Sequence, residues 1–196
     1  GSQWHAGAAR TCGWHARRTS WRSTRQRGAH DAPAPDLAVR LRSAPSSLAE
    51  PVMQLTPHFT LAEFEASETA ARKGIVNEVP DDLLGAVKRT AEGLERVRAL
   101  LGKPIIILSG YRCPELNQAV GGAPRSQHMF GLAADIIVPR FGTPMDVCSA
   151  IFESDILFDQ LILEYRRWTH ISFVGENGRR QILTIDHHFT KPGLWA

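Results

Sequence analysis

The sequence predicts an α+β fold in which a small antiparallel sheet packs against helices, after a disordered N-terminal tail. Three observations predict it. From Met53 onward, segments with helical apolar spacing alternate with short apolar runs that are typical of strands. The chain has 196 residues and 43% hydrophobic content, which is enough for one domain with a core. The first 52 residues lack sustained apolar periodicity.

Residues 1–52 are interpreted as a basic, disordered tail or a non-native extension. They hold eight arginines and three acidic residues, a net charge of +5, which leaves −2 for residues 53–196. Such a segment buries too little apolar surface to offset its ordering entropy. An arginine-rich tail could touch nucleic acid or anionic surfaces, but unpatterned arginine is equally typical of translated upstream sequence. We favour Met53 as the natural start and expect no nucleic-acid partner for residues 53–196.

Capping signals and apolar spacing predict the helices of the domain. Thr60, followed three residues later by Glu63, forms a capping-box pattern that starts a short helix in "TLAEFEAS". Helical spacing then predicts a long helix over residues 80–101, which Gly102 ends. A further helix is predicted over residues 144–153.

Short apolar runs predict the strands. The first is "PIIILSGYR", and a turn-rich loop, "CPELNQAVGGAPR", separates it from the second, "LAADIIV". Three more follow in "FDQLILEY", "WTHISF" and "RQILTI". Asn177-Gly178 in "GENGRR" predicts that the last two strands form a hairpin.

The decapeptide "SQHMFGLAAD" indicates a metal site. His128 and Asp135 suit a catalytic zinc, which needs three protein ligands and one open position, and Gly131 would let the backbone turn tightly beside the metal. The candidate third ligand is His170, because strand alternation directs it and Trp168 to one side. Spacing alone supports the site only weakly, since a single histidine is more often a hydrogen-bonded structural or surface residue.

The same decapeptide fits the SxHxxGxAxD signature of the M15 family of zinc peptidases. This family includes D-Ala-D-Ala carboxypeptidases, D-Ala-D-Ala dipeptidases and phage L-alanyl-D-glutamate endolysins. The matching positions are Ser126, His128, Gly131, Ala133 and Asp135. "LTPHFTLAEFEAS", "ILSGYRCPELNQAVGG" and "WTHISF" resemble the small bacterial and phage branch of the family. The resemblance covers most of the chain from Met53 to Ile185 and implies a hedgehog/DD-peptidase-like fold.

The resemblance implies one zinc ion per chain, with His128, Asp135 and His170 as its ligands. The dipeptidase and carboxypeptidase branches carry an acid three residues before the last histidine, but this chain has Arg167 there. Glu164 lies six residues before His170, a spacing that resembles the hedgehog domain and this peptidase branch. We therefore assign Glu164 as the general base, the alternative being a solvated glutamate at a strand end.

Three further residues each have a possible functional role and a possible purely structural role. Arg112 in "SGYR" is suited to hold a substrate carboxylate or the developing oxyanion, or else forms a structural salt bridge. Ser126 orients the loop or a ligand, or is a simple turn hydroxyl. Trp168 forms a wall of the cleft or fills the core.

The resulting functional hypothesis is a zinc-dependent peptidase that hydrolyses peptidoglycan stem peptides, as a carboxypeptidase or an endolysin-type endopeptidase. The alternative is a non-catalytic, zinc-containing module that binds the cell wall or another partner. We expect a monomer without a membrane span. Because no signal peptide is recognisable, we expect synthesis in the cytoplasm. Holin-assisted release to the cell wall, a virion position and recycling of peptides in the cytoplasm are the open alternatives for where the protein then acts.

Overall fold

The computed structural model describes residues 52–175 and 177–195 of the chain. The predicted tail lies outside these residues except for Val52, so its disorder and the boundary at Met53 stay predictions. The described part has an α+β fold, which confirms the predicted class. None of its helices has the length and apolar character that a membrane-spanning helix needs.

The three predicted helices are present, although the long one begins at Leu84, after the 3-10 helix Asp81–Leu83, and two further short α-helices were not predicted. Within the described residues, the α-helices are α1 (Leu61–Glu65), α2 (Glu68–Lys73), α3 (Leu84–Leu101), α4 (Pro114–Ala119) and α5 (Pro144–Phe152). The predicted capping box is present at α1, where the Thr60 side chain accepts from the Glu63 amide and the Glu63 carboxylate accepts from the Thr60 amide. Gly102 ends α3 in the left-handed region, with φ of 61°.

The strands form two sheets. Among the described residues they are β1 (Gln54–Thr56), β2 (Phe59–Thr60), β3 (Ile106–Ser109), β4 (Ala133–Ile137), β5 (Gln160–Glu164), β6 (Trp168–Ser172), β7 (Gln181–Asp186) and β8 (Phe189–Pro192). β1 and β2 form a small antiparallel sheet, and the others form a six-stranded sheet in the order β3-β4-β6-β5-β7-β8. In the larger sheet, β5 and β7 are parallel and every other neighbouring pair is antiparallel.

The two faces of the larger sheet have different roles. Alternate residues on one face, including Ile136, Leu161, Leu163 and Ile171, are completely or almost completely buried in the core. α5 contacts β5, β6 and α3, and residues of α3 belong to the same core. Because side chains alternate across a strand, the intervening residues lie on the opposite face. That opposite face carries the candidate site.

The predicted hairpin at Asn177-Gly178 is wrong. β7 does not pair with β6 but lies parallel to β5, so the connection crosses the start of β5. A Cβ atom on Gly178 would lie 2.3 Å from the carbonyl oxygen of Phe158. The glycine is therefore needed for a close backbone approach at this crossing, rather than for a two-residue hairpin turn.

The turn-rich loop predicted between β3 and β4 contains a helix, α4. Pro114 occupies its first turn, and Cys113 is the N-cap residue whose sulfur accepts from the Leu116 amide at 3.4 Å. Proline is compatible with the first turn because that N–H has no partner within the helix. The remaining residues, 120–126, form the turns that lead to the candidate site.

Two glycines of α3 provide a matched test of the packing. A Cβ atom on buried Gly93 would lie 2.6 Å from the Phe173 ring, whereas one on exposed Gly85 would meet only the Arg89 side chain at 3.7 Å. We expect Gly93→Ala to lower the free energy of unfolding by about 1–3 kcal/mol through overpacking. Gly85→Ala should instead raise it by about 0.4–1 kcal/mol. Denaturant unfolding measures both, and an equal response of the two variants would contradict this packing.

Candidate metal centre

Strand register and one tight turn bring together the three residues that the sequence indicates as ligands. Asp135 on β4 lies directly opposite His170 on β6. His128 lies in the short 3-10 helix Gln127–Phe130, which Gly131 ends with φ of 66°. A Cβ atom on Gly131 would also lie 2.6 Å from the Val87 side chain, so glycine is required for both conformation and space.

The three ligand atoms form a nearly equilateral triangle. His128 Nε2 lies 3.2 Å from Asp135 Oδ1 and 3.2 Å from His170 Nδ1, and the latter two atoms are 2.9 Å apart. All three residues are buried: His128 is 2% exposed, Asp135 is 4% exposed and His170 is 6% exposed. Zinc bonds of about 2.0–2.1 Å in a tetrahedral site place neighbouring ligand atoms about 3.3 Å apart. The residues present therefore fit a zinc ion in both chemistry and spacing.

A backbone contact sets the tautomer of His128. Its Nδ1 lies 2.6 Å from the carbonyl oxygen of Gly110, and because a carbonyl only accepts, Nδ1 carries the proton and donates. Nε2 then presents a lone pair toward Asp135 and His170. Burial lowers the pKa of His128, against the opposing effect of the Asp135 carboxylate. The tautomer and the lowered pKa both favour neutral His128, which is the form that binds a metal ion.

Arg112 contacts the candidate ligand Asp135 directly. One terminal N–H group of its guanidinium donates to Asp135 Oδ2, and its Nε donates to Ser109 Oγ at 2.8 Å. Burial alone would raise the pKa of Asp135, but His128 and His170 hold that pKa well below its usual range. The salt bridge considered for Arg112 is therefore present, and the arginine also lines the cleft at the site.

Glu164 and Trp168 face each other across the β5–β6 hairpin. The indole N–H of Trp168 donates to Glu164 Oε2 at 3.1 Å, which fixes the orientation of the carboxylate. Burial raises the pKa of Glu164, and the nearby Asp135 carboxylate raises it further. Glu164 is thus a half-buried, oriented carboxylate that lines the same cleft as the three candidate ligands, and not a freely solvated residue at a strand end.

The hairpin that positions Glu164 has an unusual turn. Tyr165 and Arg166 both adopt positive φ values, 51° and 56°, and the Arg167 amide closes the turn on the Glu164 carbonyl at 2.9 Å. A non-glycine residue in this region costs on the order of 1–2 kcal/mol. The Tyr165 ring packs against Trp168 with a centroid distance of 5.4 Å, which contributes to holding the turn.

One cleft of about 700 Å³ contains all the candidate residues. The sequence-predicted residues that line it are Arg112, Ser126, His128, Asp135, Glu164, Trp168 and His170. Trp168 lines the cleft instead of filling the closed core, and Ser126 precedes the 3-10 helix without capping it through its hydroxyl. The structure brings all seven together, while their chemical roles stay predictions.

The sequence did not indicate the hydrogen bond from Gln127 to Asp159, which holds the loop that carries His128. Asp159, only 3% exposed, accepts from Gln127 Nε2 at 2.9 Å and from Arg179 Nε at 2.9 Å and Nη2 at 2.5 Å. These arginine hydrogen bonds lower the pKa of Asp159 to about 2, which makes it a poor general base. Gln127 and Asp159 are 32 residues apart, so no local spacing in the sequence indicates the contact.

The contribution of the Gln127–Asp159 hydrogen bond to the site can be tested by measuring metal affinity. Gln127→Ala removes the amide that ties the loop to Asp159 but leaves every candidate ligand in place. We expect the zinc dissociation constant to rise about 10-fold. Loss of a contact that orients a metal ligand typically weakens metal binding by about 10- to 100-fold, and Gln127 acts on the loop of His128, so the lower value applies. Competition with a chelator measures it. Gln160→Ala is the matched control, because Gln160 lines the same cleft but bonds to Gln181. Equal zinc affinity in both variants would contradict this role for Gln127.

Comparison with known families gave one match. The family described as Peptidase M15 matches residues 57–172, which is more than half of the chain. The matched segment includes the three candidate ligands, Arg112 and Glu164. A comparison with curated proteins found no match to this chain.

Proposed function

The chain belongs to the peptidase M15 family, and from that premise we propose that it is a zinc-dependent peptidase of peptidoglycan stem peptides. One observation carries the proposal. The ligand atoms of His128, Asp135 and His170 converge in a cleft that also holds the oriented carboxylate of Glu164. A metal ligand set beside a positioned acid is what metal-assisted peptide hydrolysis requires.

His128, Asp135 and His170 would hold one zinc ion per chain. Their side chains supply two neutral imidazoles and one carboxylate, which leaves a fourth position for catalysis. When bound, zinc would supply Lewis-acid chemistry that polarises a peptide carbonyl and acidifies water. The Gly110 carbonyl and Arg112 guanidinium orient His128 and Asp135 from outside the ligand set.

Glu164 acts as the general base in this proposal. Its Oε2 is held by the Trp168 indole, so the carboxylate cannot rotate freely. The carboxylate accepts a proton from the attacking water and later delivers it to the leaving amine. The water oxygen forms the new C–O bond at the peptide carbonyl carbon, the C–N bond breaks as the leaving nitrogen takes up the proton, and the products are a carboxylate and an amine.

Arg112 and Ser126 are assigned supporting roles. The Arg112 side chain is 16% exposed at the cleft, and its guanidinium has N–H groups beyond those bonded to Asp135 and Ser109. We assign to these groups the binding of a substrate carbonyl or carboxylate oxygen. The Ser126 carbonyl accepts from the Met129 amide at 3.1 Å, which supports a role in shaping the His128 loop.

Glu164→Gln separates catalysis from metal binding. The amide retains the shape of the carboxylate and replaces no proposed ligand, so zinc content should be unchanged. Turnover of purified peptidoglycan, followed by mass spectrometry of released fragments, should fall roughly 10²- to 10⁴-fold. Glu153→Gln, on an exposed residue after α5, is the matched control and should retain full activity.

Three outcomes would contradict parts of this proposal. Near-normal hydrolysis by zinc-loaded Glu164→Gln would remove Glu164 from the base role. Loss of zinc together with activity would make Glu164 a ligand or a residue required for folding. Tight binding of stem peptides without cleavage by the unmutated protein would favour the non-catalytic binding module.

A further inference from the structure

We propose that Asn77 is a positioning residue of the candidate site and acts through Arg112. Its carboxamide holds the backbone on both sides of that arginine, and this sets the direction from which the guanidinium reaches Asp135 and the cleft. The inference rests on the proposed function for the part that Arg112 plays in the reaction.

Arg112 lies in a segment without helix or strand hydrogen bonding. β3 ends at Ser109 and α4 begins at Pro114, so residues 110–113 connect the two in an irregular conformation. The buried polar groups of such a backbone need partners from other segments of the chain. The direction of the Arg112 side chain therefore depends on what binds the peptide groups beside it.

Asn77 binds the peptide groups on both sides of Arg112. Its Nδ2 donates to the Tyr111 carbonyl at 3.0 Å, and its Oδ1 accepts from the Cys113 amide at 2.8 Å. Nδ2 also donates to the Glu65 carbonyl at 2.9 Å. Because carbonyls only accept and backbone N–H groups only donate, these partners fix which end of the carboxamide is the oxygen. One side chain thus ties both neighbours of Arg112 to the end of α1.

Burial makes these three hydrogen bonds difficult to replace. Asn77 is 8% exposed and Tyr111 is 4% exposed. Removal of the carboxamide would leave the Tyr111 carbonyl and the Cys113 amide without this partner where water has little access, which is unfavourable. The backbone would have to move to satisfy them, and Arg112 lies between the two groups.

The Arg112 guanidinium has little freedom to compensate for such a movement. Its Nε donates to Ser109 Oγ at 2.8 Å, and one terminal N–H group donates to Asp135 Oδ2. Both acceptors are fixed in the sheet, because Ser109 on β3 pairs with Asp135 on β4. A planar guanidinium presents its N–H groups in a rigid fork, so the two bonds require one approach direction. A shift of residues 111–113 should loosen both and move the N–H groups that face the cleft.

Hydrogen exchange at Arg112 Nε tests the inference without hydrolysis. The Nε–H signal of the metal-free full chain is assigned by its absence in Arg112→Lys, and its exchange with water is measured by NMR. We expect Asn77→Ala to speed this exchange at least about 10-fold, because the hydrogen bond to Ser109 opens more often.

Asn117→Ala is the matched control for this measurement. Asn117 is a second buried asparagine, 4% exposed, whose Nδ2 donates to the Ala123 carbonyl at 2.9 Å in another loop of the cleft. Its loss should leave Arg112 Nε–H exchange within about twofold of the unmutated chain. Equal exchange rates in Asn77→Ala and Asn117→Ala would make Asn77 a purely structural residue and overturn the inference.

Asn77→Ser keeps the test decisive if Asn77→Ala does not fold. The hydroxyl can bind one of the three backbone partners, but the shorter side chain cannot span the peptide groups of Tyr111 and Cys113 as the carboxamide does. We expect faster Arg112 Nε–H exchange in this variant as well. An unchanged rate in folded Asn77→Ser would also overturn the inference.

A double-mutant cycle tests whether the effect reaches turnover through Arg112. In the zinc-loaded full chain, Asn77→Ala should lower kcat/KM for a synthetic stem peptide about 10-fold. In the Arg112→Lys background the same change should cost less than about threefold, because the flexible lysine side chain tolerates a displaced backbone. A loss of equal size in both backgrounds would overturn the inference. If the unmutated chain cleaves neither this peptide nor purified peptidoglycan, the proposed function fails, while the exchange rates still decide whether Asn77 positions Arg112.

Discussion

The buried carboxylate of Asp135 is the group on which the arrangement of the site depends. It contacts the guanidinium of Arg112 and the imidazoles of His128 and His170, which come from three different segments of the chain. A carboxylate this deeply buried is strongly unfavourable unless it is paired, and removing one partner of a buried ion pair costs about 3–5 kcal/mol. The same contacts that satisfy the charge therefore fix the 3-10 helix and β6 against β4, and they assemble the candidate ligand set.

The division of the sheet into two faces explains how a small domain can hold so many polar groups at one place. The face against α3 and α5 supplies the apolar burial that stabilises the fold. The opposite face is then free to carry side chains selected for chemistry, with the tightly turned β5–β6 hairpin setting Glu164 and Trp168 opposite each other. The strain at Tyr165 and Arg166 is local, and it coincides with the position where an oriented carboxylate is needed.

Much of the fold and the grouping of the three candidate ligands could be predicted from the sequence, because both depend on local patterns and on one motif. Short apolar runs located β4 and β6, and the capping box located α1. Strand pairing could not be predicted, since the turn signal at Asn177-Gly178 serves a crossing over β5, while the actual hairpin turns at Tyr165 and Arg166, which carry no such signal. The contacts of Gln127 with Asp159 and of His128 with Gly110 join distant segments and depend on the folded chain.

The central claim is that these three side chains together hold zinc, and zinc K-edge X-ray absorption spectroscopy of the loaded protein tests it most directly. We expect one zinc per chain, with only nitrogen and oxygen neighbours at about 2.0–2.2 Å and the scattering pattern of two imidazoles. That pattern should disappear in the His128→Ala, His170→Ala double variant. A sulfur neighbour near 2.3 Å, or an unchanged spectrum with full zinc content in the double variant, would contradict the claim.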